Sequence, residues 1–173
     1  MCGSLRHNAI GAEGGTAIAD ALRVNEALTS ISLRYNGLGD EGWGAIFAGV
    51  CANKNSKIAT IDASDESIGP AGAKLIGEAL TTSVSEALTS LDTRYNSIGK
   101  EAALGLVTIF KEKDRMTFVG LASCELGAEG AGAVADYLRV SEALTEIEYA
   151  RPKCGPNPNP PIEAPCRPNP CTA

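Results

Sequence analysis

Three features of the sequence have residue types suited to chemistry: the glycine-rich stretch GLGDEG at 37–42, the single histidine His7, and six cysteines. GLGDEG satisfies the pattern G-x-G-x-x-G, whose glycines let a strand-to-helix turn approach a pyrophosphate. Gly39 and Gly42, however, return as Gly11 and Gly14, Gly69 and Gly72, and Gly127 and Gly130, and Asp40 and Glu41 would meet a pyrophosphate with like charge. We read these glycines as tight-turn positions of a repeating unit. Gly99 and Lys100 end a stretch that resembles a phosphate loop, but Arg94 stands where the first glycine would be needed.

A general base must be held by a partner. No second residue of a catalytic set accompanies His7 in its stretch LRHNAI, so it is expected to be an isolated surface histidine. Cys2, Cys51 and Cys124 have no motif around them and are expected to be buried small hydrophobes. Cys154, Cys166 and Cys171 crowd near the C-terminus without C-x-x-C spacing and without a histidine, which argues against zinc and leaves a disulfide or tail clip as the better reading. No catalytic residue, cofactor or metal ligand is expected, and the chain reads as a non-enzyme.

The elements that would position any surface come from a repeat. LTSISLRYNGLG at 28–39 returns as LTSLDTRYNSIG at 88–99. In register, the apolar anchors are Leu28, Ile31, Leu33, Leu38; Ile58, Ile61, Ala63, Ile68; Leu88, Leu91, Thr93, Ile98; Met116, Val119, Leu121, Leu126; and Leu144, Ile147, Tyr149, Cys154. A half copy with Leu5, Asn8, Ile10 and Gly11 precedes them, making about six units with incomplete ends. Each unit predicts a short strand, a turn held by Asn8, Asn36, Asn96 or Cys124, and an apolar-faced helix such as PAGAKLIGEAL, with Pro70 in its first turn. Glu66 breaks the turn pattern and is expected to weaken the third copy.

This spacing resembles the leucine-rich repeat, and the 28- to 30-residue period with its Ala-rich helix resembles the ribonuclease-inhibitor-like class, which includes the repeats of ribonuclease inhibitor and NOD-like receptors. The resemblance implies an α/β leucine-rich repeat solenoid, curved, with a parallel sheet on the concave side and helices on the convex side. It also implies a general habit of binding proteins.

On such a sheet the outward residues form columns. One runs Arg6, Arg34, Ser64, Arg94, Ala122; the next His7, Tyr35, Asp65, Tyr95, Ser123; a third Ser4, Ser32, Asp62, Asp92, Gly120, Glu148. Asp62 beside Asp92 is a like-charge pair that Arg34 and Arg94 are expected to offset. Arg34, Tyr35, Asp62, Asp65, Asp92, Arg94, Tyr95 and the outward-pointing Phe118 together form the candidate partner-binding set, since Arg and aromatic residues favour interface hot spots.

Composition narrows the partner. A net charge of -6 opposes nucleic acid, whose binding rests on clustered Lys and Arg. No run approaches the roughly 18 apolar residues of a membrane span, so no direct membrane insertion is expected. Six cysteines among 173 residues is too sparse for a disulfide scaffold and favours the cytoplasm, with an organelle reached after removal of a transit segment as the alternative. Eight of nine prolines lie from Pro152 onward, so we divide the chain into a repeat domain, 1–155, and a Pro/Cys-rich extended tail, 156–173. The functional expectation is a protein–protein interaction module working through its concave face or ends. The alternative is a structural accessory subunit of a large complex, organellar or membrane-associated, anchored by the tail and solenoid edges.

Overall fold

In the computed structural model, residues 2–148 are described. Strands and helices alternate: β1 (Cys2–Ser4), α1 (Gly11–Leu22), β2 (Ser30–Ser32), α2 (Gly39–Ala52), β3 (Thr60–Asp62), α3 (Pro70–Thr81), β4 (Ser90–Asp92), α4 (Lys100–Lys113), β5 (Phe118–Gly120), α5 (Gly127–Val140) and β6 (Glu146–Glu148). The six strands make one sheet in sequence order, every pair parallel. Ile31, Ile61, Leu91 and Val119 occupy the same register position and are buried, so β2 to β5 each aim the middle side chain at the helices. One strand-turn-helix unit leaves that edge bare, and stacking on a neighbour covers it. The product is an α/β solenoid, sheet on the concave side and helices on the convex side.

The turns are joined by a polar ladder inside the core. The Asn36 side chain accepts from the Asn8 backbone N–H at 2.7 Å and donates to the Leu5 carbonyl at 2.8 Å. Asn96 repeats this two copies later, accepting from the N–H groups of Glu66 and Ile68 at 3.0 Å each and donating to the carbonyls of Ala63 and Thr93. Cys124 takes the position in the fifth copy, its thiol 3.3 Å from the Thr93 carbonyl.

Glu66 does not weaken its turn, contrary to the sequence expectation. It is fully buried, and its two oxygens accept from the N–H groups of Asn36 at 2.6 Å and Leu38 at 2.9 Å, and from the indole N–H of Trp43 at 3.3 Å. A carboxylate cannot donate as an asparagine amide does. The carbonyls that would lack a donor, Leu33 and Ala63, are served by the amides of Asn36 and Asn96.

Small residues set the distance between helices. A Cβ on Gly49 would lie 2.5 Å from the Ala19 carbonyl, and one on Gly15 3.0 Å from the Gly42 Cα, so α1 and α2 meet backbone to backbone. Further along, Gly105 and Gly132 have nothing within 4 Å of that position. Between α3 and α4 an open groove of about 720 Å³ is lined by Ala73, Gly77, Ala102, Gly105, Leu106 and Ile109. Trp43, Ile46 and Phe47 of α2 are fully buried and are among the largest side chains of the core.

Candidate functional site

The stretch that resembled a dinucleotide fingerprint is a turn. Gly37 and Gly39 take φ values of 65° and 62°, which glycine adopts without strain, and the Asp40 carboxylate accepts from the Gly69 N–H at 2.6 Å. Asp40 thus ties its turn to the start of α3, and at the start of α2, where the fingerprint's anion would have to sit, the Gly39 N–H already donates to the Glu66 carbonyl at 3.2 Å. Cys51 and Cys124 are buried as expected. Burial pushes the Cys51 thiol up and the Cys124 thiol up to about 11, in neither case a nucleophile at neutral pH. The Cys2 side chain and Cys154, Cys166 and Cys171 lie outside the described residues, as does the proposed tail. Among the described residues no three His, Cys, Asp or Glu are gathered closely enough to hold a metal, and no helix is long and apolar enough to cross a membrane.

The eight candidate partner-binding residues share the concave face and its turn-side rim. The register joins Ser4, Ser32, Asp62, Asp92, Gly120 and Glu148 in one column, as the repeat implied. The ion pairs differ from the expected ones. Asp62 is held by Arg6 at 3.2 Å, with Ser32 and Ser64 hydroxyls donating to its two oxygens at 2.8 and 2.6 Å. Its acceptor positions being taken, Arg34 turns to the rim and binds Asp65 Oδ2 through Nε at 3.1 Å and Nη2 at 2.7 Å. Arg94 does offset Asp92, through Nε at 2.8 Å, and also pairs with Glu148. A Cβ on Gly120 would stand 2.6 Å from Asp92 Oδ1, so the bare glycine makes room for this pair.

Aromatic rings complete the face. His7, expected to stand alone, stacks on Tyr35 with centroids 4.5 Å apart and planes 18° from parallel. The Arg34 guanidinium lies 4.7 Å from the Tyr35 centroid and donates to its hydroxyl at 3.1 Å. Arg94 lies 5.9 Å from the half-buried Phe118 ring. Burial works against the Arg34 charge, but the hydrogen bonds to Tyr35 and Asp65 outweigh it and raise its pKa; for Arg94 the Asp92 hydrogen bonds are the main cause of a rise. Both guanidinium groups are permanently charged and already coordinated. Sequence reasoning did not place Arg6, Ser32, Ser64, Gly120 and Glu148 in the site, although all five stand in the columns it had drawn.

Tyr35, Asp65 and Tyr95 have φ of 61°, 56° and 60°, the left-handed region that bulky residues rarely enter. The repeated turn imposes that conformation on every copy. Asp tolerates it because its short side chain bonds the local backbone, whereas tyrosine has no such intrinsic preference for it. Tyr35 remains 43% exposed, so core burial does not account for its presence there.

Comparison with known proteins agrees with this architecture. The sequence model of the leucine-rich repeat matches residues 4–19 and 24–47. No curated protein sequence matches. Among solved structures 43 chains match, one of them the tropomodulin C-terminal domain of Caenorhabditis elegans, at 13% identity and a TM-score of 0.59, covering 80% of this chain and 83% of that one. At that identity the likeness speaks for the fold alone. Leucine-rich repeat domains generally mediate protein–protein interaction and are typically non-enzymatic. With six parallel strands at one register and a polar ladder through its turns, the chain has the fold of a leucine-rich repeat solenoid, and its residues 4–19 and 24–47 carry the sequence pattern of that repeat.

Proposed function

We propose that the chain is a protein–protein interaction module of the ribonuclease-inhibitor-like class, working in the cytoplasm and binding a protein partner through its concave face. The observation that carries this is the placement of Tyr35 and Tyr95 in left-handed backbone on the turn-side rim, beside a sheet face on which Arg6, Arg34 and Arg94 are all locked by carboxylates. Side chains fixed before binding lose little entropy on association, and Tyr and Arg supply area together with directed hydrogen bonds. The ion pairs leave no surplus of positive charge, which supports a protein over a polyanion.

The test is size fractionation of a native extract with detection of this chain, then cross-linking mass spectrometry of the fraction that contains it. Cross-links to one protein partner that disappear in the double variant Arg34→Glu, Arg94→Glu are expected. Unchanged capture by that variant would sink the concave-face reading. Migration in a large particle with cross-links confined to the solenoid ends or Lys153 would make the chain an accessory subunit instead.

A further inference from the structure

The rim column runs His7, Tyr35, Asp65, Tyr95, Ser123, so one short acidic residue stands between two tyrosines. Neighbouring parallel strands are about 4.8 Å apart, which sets Tyr35 and Tyr95 about 10 Å from each other across the Asp65 copy. Asp65 does not fill that gap. A pocket of about 330 Å³ opens there, lined by Tyr35, Asp65, Ser67, Tyr95 and Ser97, with both serines exposed.

We infer that this pocket receives the cationic side chain of an arginine or lysine from the protein partner. The inference rests on the interaction-module reading and names the chemistry by which the partner is recognised. A cation seated in the pocket is flanked by both tyrosines that line it, and a ring quadrupole attracts a positive charge within roughly 6 Å of its centroid. The Asp65 carboxylate supplies the counter-charge, and both Arg34 bonds land on Oδ2, so that neither engages Oδ1.

The molecule already uses its rings in this way. Arg34 lies against Tyr35 while pairing with Asp65, and Arg94 lies near Phe118 while pairing with Asp92. The pocket offers the same combination of ring and carboxylate to a cation from outside. A net charge of -6 on the chain draws such a partner in at long range. A neutral flat side chain such as proline could lie between the rings, but it would gain nothing from the carboxylate.

Arg34 is then a competitor as well as a neighbour, since it shares both Tyr35 and Asp65 with the incoming cation. This gives the proposal an outcome that a general stickiness of the face would not give. Removing the Arg34 charge strengthens binding of a basic group, whereas the same change weakens any contact that Arg34 itself makes.

The experiment is a titration of the full ¹⁵N-labelled chain with the peptide acetyl-Gly-Arg-Gly-amide and with its citrulline isostere, which keeps shape and removes charge. Saturable shifts of the Asp65, Ser67, Tyr95 and Ser97 amides are expected with the arginine peptide, at least about 5-fold tighter than with citrulline. Asp65→Asn and Tyr95→Leu should each weaken the arginine peptide about 5-fold, Tyr95→Phe should preserve it, and Arg34→Gln should strengthen it about 3-fold. Well-dispersed spectra of each variant establish that it is folded. Equal binding of the two peptides, shifts confined to other surfaces, or an Asp65→Asn variant that binds as the parent does would overturn the proposal. The two failures separate: lost arginine preference while Arg34→Glu, Arg94→Glu still abolishes partner capture removes the pocket alone, whereas unchanged capture removes the concave-face reading.

Discussion

Glu66 is the residue on which the turn ladder depends most. It is acceptor to three N–H donors at a fully buried site, and no amide of its own shares the work. Truncation leaves all three donors without a partner, and each unsatisfied buried group costs about 1–3 kcal/mol, so Glu66→Ala should lower stability by roughly 3–5 kcal/mol in urea unfolding. Glu66→Gln keeps one acceptor oxygen and should lose no more than about half of that. Cys124 titrates in the opposite sense to an ordinary ion-paired carboxylate. Burial raises the thiol to about 11 from an ordinary 9.0, so the folded chain favours the neutral form. A group whose folded pKa is raised contributes fully below its unfolded value and loses that contribution as pH climbs to the folded value. Stability should therefore fall by roughly 2–3 kcal/mol between pH 9 and 11, and Cys124→Ala should flatten that part of the profile measured by unfolding.

At the scale of the element, glycine has two opposite meanings. In α2, Gly49 exists so that α1 can approach, and a methyl group there would push on the Ala19 carbonyl, part of a backbone that cannot swing aside. Gly49→Ala is expected to destabilise by about 2 kcal/mol or more through overpacking. In α4, Gly105 is exposed and has nothing within 4 Å of the point a methyl group would occupy, so Gly105→Ala should stabilise by about 0.5–1 kcal/mol through helix propensity alone. Thermal melts of the two variants shifting in the same direction would refute this view of the helix layer. The elements themselves were legible because period and alternation follow from backbone geometry: the strand register and Pro70 in the first turn of α3 came out as the repeat spacing implied. Side-chain partners were not legible in the same way. A motif treats Asn as a letter, while the turn needs only an acceptor that reaches two N–H groups, which Glu66 provides. The partner of Arg34 depended on Asp62 having been taken already by Arg6, Ser32 and Ser64, a competition that column order does not encode.

Across the whole molecule, stability should be graded rather than uniform. Each unit touches only its neighbours, so the free energy of opening a unit is its own stability plus its interfaces. The middle units have two interfaces, a continuous ladder from Asn36 through Glu66 to Asn96, and fully buried anchors in Trp43, Ile46, Phe47, Ile61 and Ile76. Toward β6 the anchors thin out: Ile147 is only half-buried, Glu146 is exposed, and β6 has a single strand neighbour among the described residues. Amide hydrogen exchange should therefore protect Ile61 and Leu91 most and Ile147 least, in steps that follow the units. Glu66→Gln should lower protection around β2 and β3 more than around β5, because the bonds it weakens join those two copies. Uniform protection from β2 to β6, or an equal loss everywhere in Glu66→Gln, would mean that the solenoid opens as one cooperative body and that neighbour-by-neighbour accounting does not apply to it.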